Sequence, residues 1–200
     1  MTFNSASYWE KRYAAGGNSG KGSYNHLAIF KAKIINDILC EYNISSVVDY
    51  GVGDGNQCSY LNTTNQKYYG IDQSKTAIDI CKSKNLADKE FMLVSEFIDM
   101  NITCDISLSC DVIYHLIEND VYEQYMYNLF KFSNRFVLIY AKDEDINHCQ
   151  HVKFRNFSTF IKNNFNAVLL RHIPNEYPQQ YIGVNNENTS PSDFYLWEKQ

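Results

Sequence analysis

The residues with the clearest chemical capacity lie in Val47-Val48-Asp49-Tyr50-Gly51-Val52-Gly53-Asp54-Gly55, where a β-branched run ends in a carboxylate and alternating glycines. Glycines at such a turn let the backbone pass close to a ligand and leave free N–H groups beside it. A second apolar run, Tyr68-Tyr69-Gly70-Ile71-Asp72, ends in a carboxylate at the place where nucleoside sites bind the ribose hydroxyl pair. Together they specify a nucleoside-bearing cofactor. Downstream, Asp111-Val112-Ile113-Tyr114-His115-Leu116 offers an acid, a phenol and an imidazole. His148-Cys149-Gln150-His151-Val152-Lys153-Phe154-Arg155 adds two imidazoles and a guanidinium.

Charge discriminates among the cofactors that use a glycine turn. The dinucleotide fingerprint is G-x-G-x-x-G; here Gly55 falls one position early, and Asp49 would oppose a pyrophosphate. A carboxylate there suits a cationic, phosphate-free ligand. S-adenosylmethionine, with its sulfonium and α-ammonium, meets that description. The glycine-rich loop at 16–23 does not complete a triphosphate loop, because Ala15 and Gly22 stand where the pattern needs Gly and Ser or Thr.

The elements that position these groups follow from periodicity. From His26 to Tyr42, Leu27, Phe30, Ile34, Ile35, Ile38 and Leu39 recur at helical spacing. Strands are predicted near 46–50, 68–72, 90–94, 106–111, 135–141, 167–173 and 193–198, and helices near 57–61, 75–84, 120–132 and 158–164. Strand–helix alternation implies a mainly parallel sheet covered on both faces. The last two strands have little helix between them and should pair antiparallel. One domain spans 1–200, with 1–25 an aromatic N-terminal segment built on Tyr8-Trp9-Glu10-Lys11-Arg12-Tyr13.

In order and spacing these segments resemble the class I S-adenosylmethionine-dependent methyltransferases over nearly the whole chain. The resemblance implies an α/β, Rossmann-like, seven-stranded and mostly parallel sheet with an antiparallel last strand, helices on both faces and an N-terminal helical lid. It implies that Asp49, Gly51, Gly53 and Gly55 hold the methionine part and that Asp72, with Gln73 beside it, holds the ribose. Glu96 and Phe97 would flank the adenine, although Glu96 replaces the commoner Asp. Trp9 and Arg12 of the lid would close on the cofactor. Asp111 would hold its amino end or orient a base.

For a hydroxyl acceptor, which is very weakly acidic, a positioned general base helps; His115 is the first candidate, against a purely packing role. Tyr13 and Tyr114 are candidates to line the substrate pocket. His148 and His151 are three apart, as on one helical face, but further ligands are missing and no metal site is expected. His151 and Arg155, four apart, either face a phosphorylated substrate or start a solvated basic helix.

A net charge of −5 over 200 residues argues against a nucleic-acid partner. The segment Asp111-Val112-Ile113-Tyr114 lacks the prolines of base-amine methyltransferases. Six cysteines without CxxC spacing, and no leader at Met1-Thr2-Phe3-Asn4-Ser5, point to reduced thiols in the cytoplasm. No apolar run is long enough to span a bilayer. The start at Tyr8–Tyr13 and the runs at 22–32 and 151–157 resemble small methyltransferases of polysaccharide and nucleotide-sugar genes. The expected reaction is therefore O-methylation, with N-methylation as the second choice, of a sugar or nucleotide sugar. The alternatives are a protein or RNA acceptor and a cofactor-binding inactive partner subunit.

Overall fold

A computed structural model of the chain describes residues 3–149, 151–179 and 188–200. Its centre is one seven-stranded sheet. Strands β1 (Ser46–Tyr50), β2 (Lys67–Asp72), β3 (Glu90–Leu93), β4 (Cys104–Cys110), β5 (Ser133–Ala141), β8 (Ala167–Ile173) and β9 (Asp193–Lys199) lie in the order β3-β2-β1-β4-β5-β9-β8. The first five are parallel, while β9 runs antiparallel between β5 and β8. The order reverses at β1 and β4, so a crevice opens at their carboxyl ends, where such sheets bind ligands.

The central strands are buried on both faces, which explains their unbroken apolar runs. Val47, Ile106, Leu108 and Leu138 pack on one side with α2 (Asn25–Glu41), through Ile35, Ile38 and Leu39. Val48, Val137 and Ile139 pack on the other with α5 (Asn119–Lys131) and α6 (Phe157–Asn164), through Met126, Leu129 and Ile161. Short polar side chains start three of the helices. Asn4 caps α1 (Ser5–Ala14), Ser74 caps α3 (Lys75–Ser83) and Asn156 caps α6, each accepting a backbone N–H.

Three local expectations change. The helix expected at 57–61 is a single 3₁₀ turn, Gln57–Tyr60. Val94, expected to end β3, instead opens α4 (Val94–Met100), where the Glu96 carboxylate accepts the Leu93 N–H at 2.7 Å. The segment expected to be helical around His151 is a hairpin of β6 (Ile146–Cys149) and β7 (Val152–Phe154). Val152 and Phe154 are buried and Lys153 between them is not, a period of two that belongs to a strand. The His148 side chain and Gln150 lie outside the described residues, and among the described residues no cluster could hold a metal ion.

Candidate active site

The glycine turn is pinned before any ligand is considered. Gly51 and Val52 donate their N–H groups to the Ile71 carbonyl at 2.8 and 3.1 Å, tying the end of β1 to β2. Gly51 and Gly53 both have positive φ, +89° and +60°. A Cβ on Gly51 would meet Val112 at 2.6 Å, and one on Gly53 would meet the Ser19 hydroxyl at 2.3 Å. Only glycine fits there. Asp72 accepts the Gly53 N–H at 3.0 Å and the Ser74 N–H at 2.8 Å. Burial raises its pKa, against the lowering pull of those N–H groups.

Asp49 is 6% exposed and accepts the Tyr68 hydroxyl at 2.6 Å. Burial pushes its carboxyl up to about 6; the Tyr68 hydrogen bond and the Lys31 charge pull it down, and Asp72 pushes it further up. Asp54, beside it in the turn, points the other way and fastens the N-terminal loop. It accepts the Ser19 N–H and the Tyr24 hydroxyl, each at 2.8 Å. The Tyr13 hydroxyl closes the same junction at 3.1 Å from Ser19 Oγ.

On the opposite side, β4 ends at Cys110 and Asp111 turns the chain with φ +60°. Both Asp111 oxygens have donors: Lys31 Nζ at 2.5 Å and the Tyr114 hydroxyl at 2.7 Å. Lys31 is fully buried, with its ammonium 5.2 Å from the Tyr140 ring centre. His115 follows in a short 3₁₀ turn. Its Nδ1 lies 3.0 Å from the His151 carbonyl, so Nδ1 carries the proton and Nε2 keeps the ring's lone pair. Burial pushes the imidazole down to about 4, so it is neutral at neutral pH. The Trp9 ring meets it edge-on at 4.8 Å.

These groups enclose a cavity of about 540 Å³. Of the residues singled out from the sequence, Trp9, Tyr13, Asp49, Gly51, Gly53, Asp72, Gln73, Asp111 and His115 line it. The others sit behind the wall. Gly55 packs under the turn near Cys81. Arg12 lies over the Trp9 ring at 5.4 Å and bonds the Asn18 carbonyl. Tyr114 supports Asp111, and Phe97 is buried against Tyr69 and Phe132. The His151 ring stacks on Tyr8. Arg155 donates to the Leu116 and Ile117 carbonyls at 2.7 and 2.8 Å, which organises the loop before α5 and leaves no guanidinium on the cavity wall.

A smaller cavity of about 240 Å³ adjoins it, sharing Gln73 and Asn128 and bounded by Leu93, Val94, Ser95 and Ile98. Glu96 and Phe97 are not among the residues that bound it. Sequence reasoning also passed over Ser5, Gln57, Asp120, Gln124 and Lys31, the first four of which line the main cavity. Lys31 carried a readable signal. It occupies the buried stripe of α2 with Leu27, Ala28 and Ile35, a position where a lysine needs an anion.

Residues 43–181 match the family model described as a methyltransferase domain. No curated protein matches the chain. Among solved structures, the N-methyltransferase NodS from Bradyrhizobium japonicum, bound to S-adenosylhomocysteine, superposes with a TM-score of 0.72 at 13% identity, covering 98% of this chain and 99% of that one. Magnesium protoporphyrin IX methyltransferase from Synechocystis, with bound S-adenosylmethionine, gives a TM-score of 0.68 at 11% identity, covering 100% and 99%. An S-adenosylmethionine-dependent methyltransferase from Clostridium acetobutylicum gives 0.61 at 12% identity, covering 97% of each. The chain belongs to the methyltransferase-domain family, with the class I fold, and its cofactor is S-adenosylmethionine.

Proposed function

We propose that this protein methylates a sugar-like small molecule, with the cofactor held on the glycine-turn side of the cavity and the acceptor beneath the N-terminal helix. The residues fit the cofactor. The cavity lies within the roughly 300–1,000 Å³ of small-molecule sites, and its glycine-turn side presents one buried carboxylate, Asp49, and one half-buried, Asp72, to a cationic ligand. Asp72 would hold the ribose, with Gln73, Leu93, Val94 and Ser95 around the base, and Asp49 would face the cationic amino-acid end. When bound, S-adenosylmethionine supplies a methyl group activated on a sulfonium.

The observation that carries the acceptor reading is the company around Trp9. Its indole shares the cavity wall with Ser5, Asp120, Gln124 and His115. An aromatic face beside hydroxyl, amide and carboxylate groups is suited to a polyhydroxyl ring, which needs both stacking and hydrogen bonds. His115 then serves as the base, its Nε2 free to take a proton while the His151 carbonyl fixes the ring. The α1 helix excludes water from that end. It is tied down by Glu10, which accepts the Ser74 hydroxyl at 2.6 Å, and by Ser5, whose N–H donates to Glu118 at 2.8 Å.

Calorimetry with S-adenosylhomocysteine, followed by tritiated methyl transfer to sugars and sugar nucleotides, tests this reading. Binding and transfer to a sugar are expected. Failure to bind S-adenosylhomocysteine overturns the cofactor placement, and transfer only to RNA or protein overturns the acceptor.

A further inference from the structure

The cavity wall has one sign of charge. Asp49, Asp72, Asp111 and Asp120 line it, and no lysine or arginine does so among the described residues. The nearby cations are engaged elsewhere: Lys31 with Asp111, Arg12 with Trp9 and Asn18, and Arg155 with two carbonyls. Lys153, on the adjoining hairpin, donates to Asn119 at 2.9 Å. Lys31 meets Asp111; Asp49 and Asp72 would face S-adenosylmethionine, which carries a net charge of only one, and Asp120 stands exposed on the acceptor side.

An unpaired polar atom repeats the pattern. Gln57 is 7% exposed and lines the cavity; its Nε2 donates to the Ala28 carbonyl, while its Oε1 has no donor. A buried acceptor without a donor is costly and calls for an N–H or O–H from a ligand.

Resting on the methyl-transfer reading, we infer that the acceptor is an amine-bearing, phosphate-free molecule, an amino sugar in class, methylated at nitrogen. An ammonium group supplies the missing positive charge and several donors at once. A nucleoside diphosphate would bring two more negative charges into a wall that has no cation to meet them, and its burial would be strongly opposed. An ammonium is a far stronger acid than a sugar hydroxyl, so it reaches its reactive neutral form without a strong base. The ammonium passes one proton by way of His115 to solvent, and its nitrogen lone pair forms the new bond to the methyl carbon. The carbon–sulfur bond breaks with its electron pair left on sulfur.

The test incubates the full chain and tritiated S-adenosylmethionine with a macromolecule-free extract of the source cells, then resolves the labelled product by ion exchange at mildly acidic pH. Glucosamine, glucose and UDP-glucose serve as defined probes in parallel. Label is expected in a cation-exchange peak separate from that of S-adenosylmethionine itself, with glucosamine preferred over the other two. Asp120→Asn should slow labelling in dilute extract by about threefold, the scale of one exposed charge, without changing S-adenosylhomocysteine affinity. Label on the anion exchanger, or a neutral product, overturns this inference while leaving methyl transfer to a small molecule intact. If S-adenosylhomocysteine binds but no small product is labelled, the acceptor reading beneath it falls as well.

Discussion

The two sides of the cavity are built in different ways. The cofactor side comes from two short stretches, Asp49–Gly53 and Asp72–Ser74, on neighbouring parallel strands that hydrogen-bond in register. Its geometry is mostly backbone. The proposed acceptor side is assembled from α1, the segment after β4 and α5, with the β6–β7 hairpin behind His115. Its key contacts join Ser5 to Glu118, 113 positions apart, and His115 to His151, 36 apart. On the proposed reading, binding the common cofactor depends on local, rigid geometry, and selecting an acceptor depends on how distant segments dock.

The first way to break that division is Asp72→Ala. Losing hydrogen bonds to a charged group at about 1.5–3 kcal/mol each should weaken S-adenosylhomocysteine binding on the order of 10³-fold, with a melting curve checking that the fold survives. On the other side, His115→Ala should lower kcat by roughly 10²-fold, the usual scale of a general base. Calorimetry should find its S-adenosylhomocysteine affinity nearly unchanged. Equal losses of cofactor affinity in both variants would erase the distinction.

Gly53→Ala probes the junction between the sides. Its Cβ collides with Ser19 and Tyr13 at a positive φ, so a strain of about 1–3 kcal/mol is expected. Cofactor affinity should fall about tenfold, and proteolysis should reach the N-terminal loop sooner.

The smallest effect is in pH. Burial holds Asp49 up to about 6 against the pull of Tyr68 and Lys31, and a bound cation lowers that value. Binding therefore releases a proton near the free-state pKa, and affinity weakens as pH falls through about 6, by at most tenfold per unit. The same raised pKa makes folding stability fall, not rise, as pH increases from the ordinary carboxylate range through 6. Asp49→Asn should flatten both curves, measured by calorimetry in buffers of different ionisation enthalpy and by thermal melts.

Much of the cofactor side was legible in the residue order. Glycine spacing, the carboxylates at two strand ends and the apolar runs are local signals, and local backbone chemistry decides what they build. The short α4 was not legible, because its apolar start continues the pattern of β3. The hairpin at His151 was misjudged because a spacing of three or four positions is compatible with a helix only when the buried residues share it. Here the buried pair, Val152 and Phe154, alternates.

Fold family and a mostly parallel sheet with an antiparallel last strand were determined by sequence alone, since each depends on neighbours in the chain or on periodic burial. Which charged groups face the cavity was decided by tertiary structure. Net charge counts lysines and arginines but says nothing of where they end. Packing sends Lys31 beneath Asp111 and turns Arg155 onto two loop carbonyls. A basic-looking segment thereby leaves an acidic wall, because pairing between distant side chains exists only once the chain has folded.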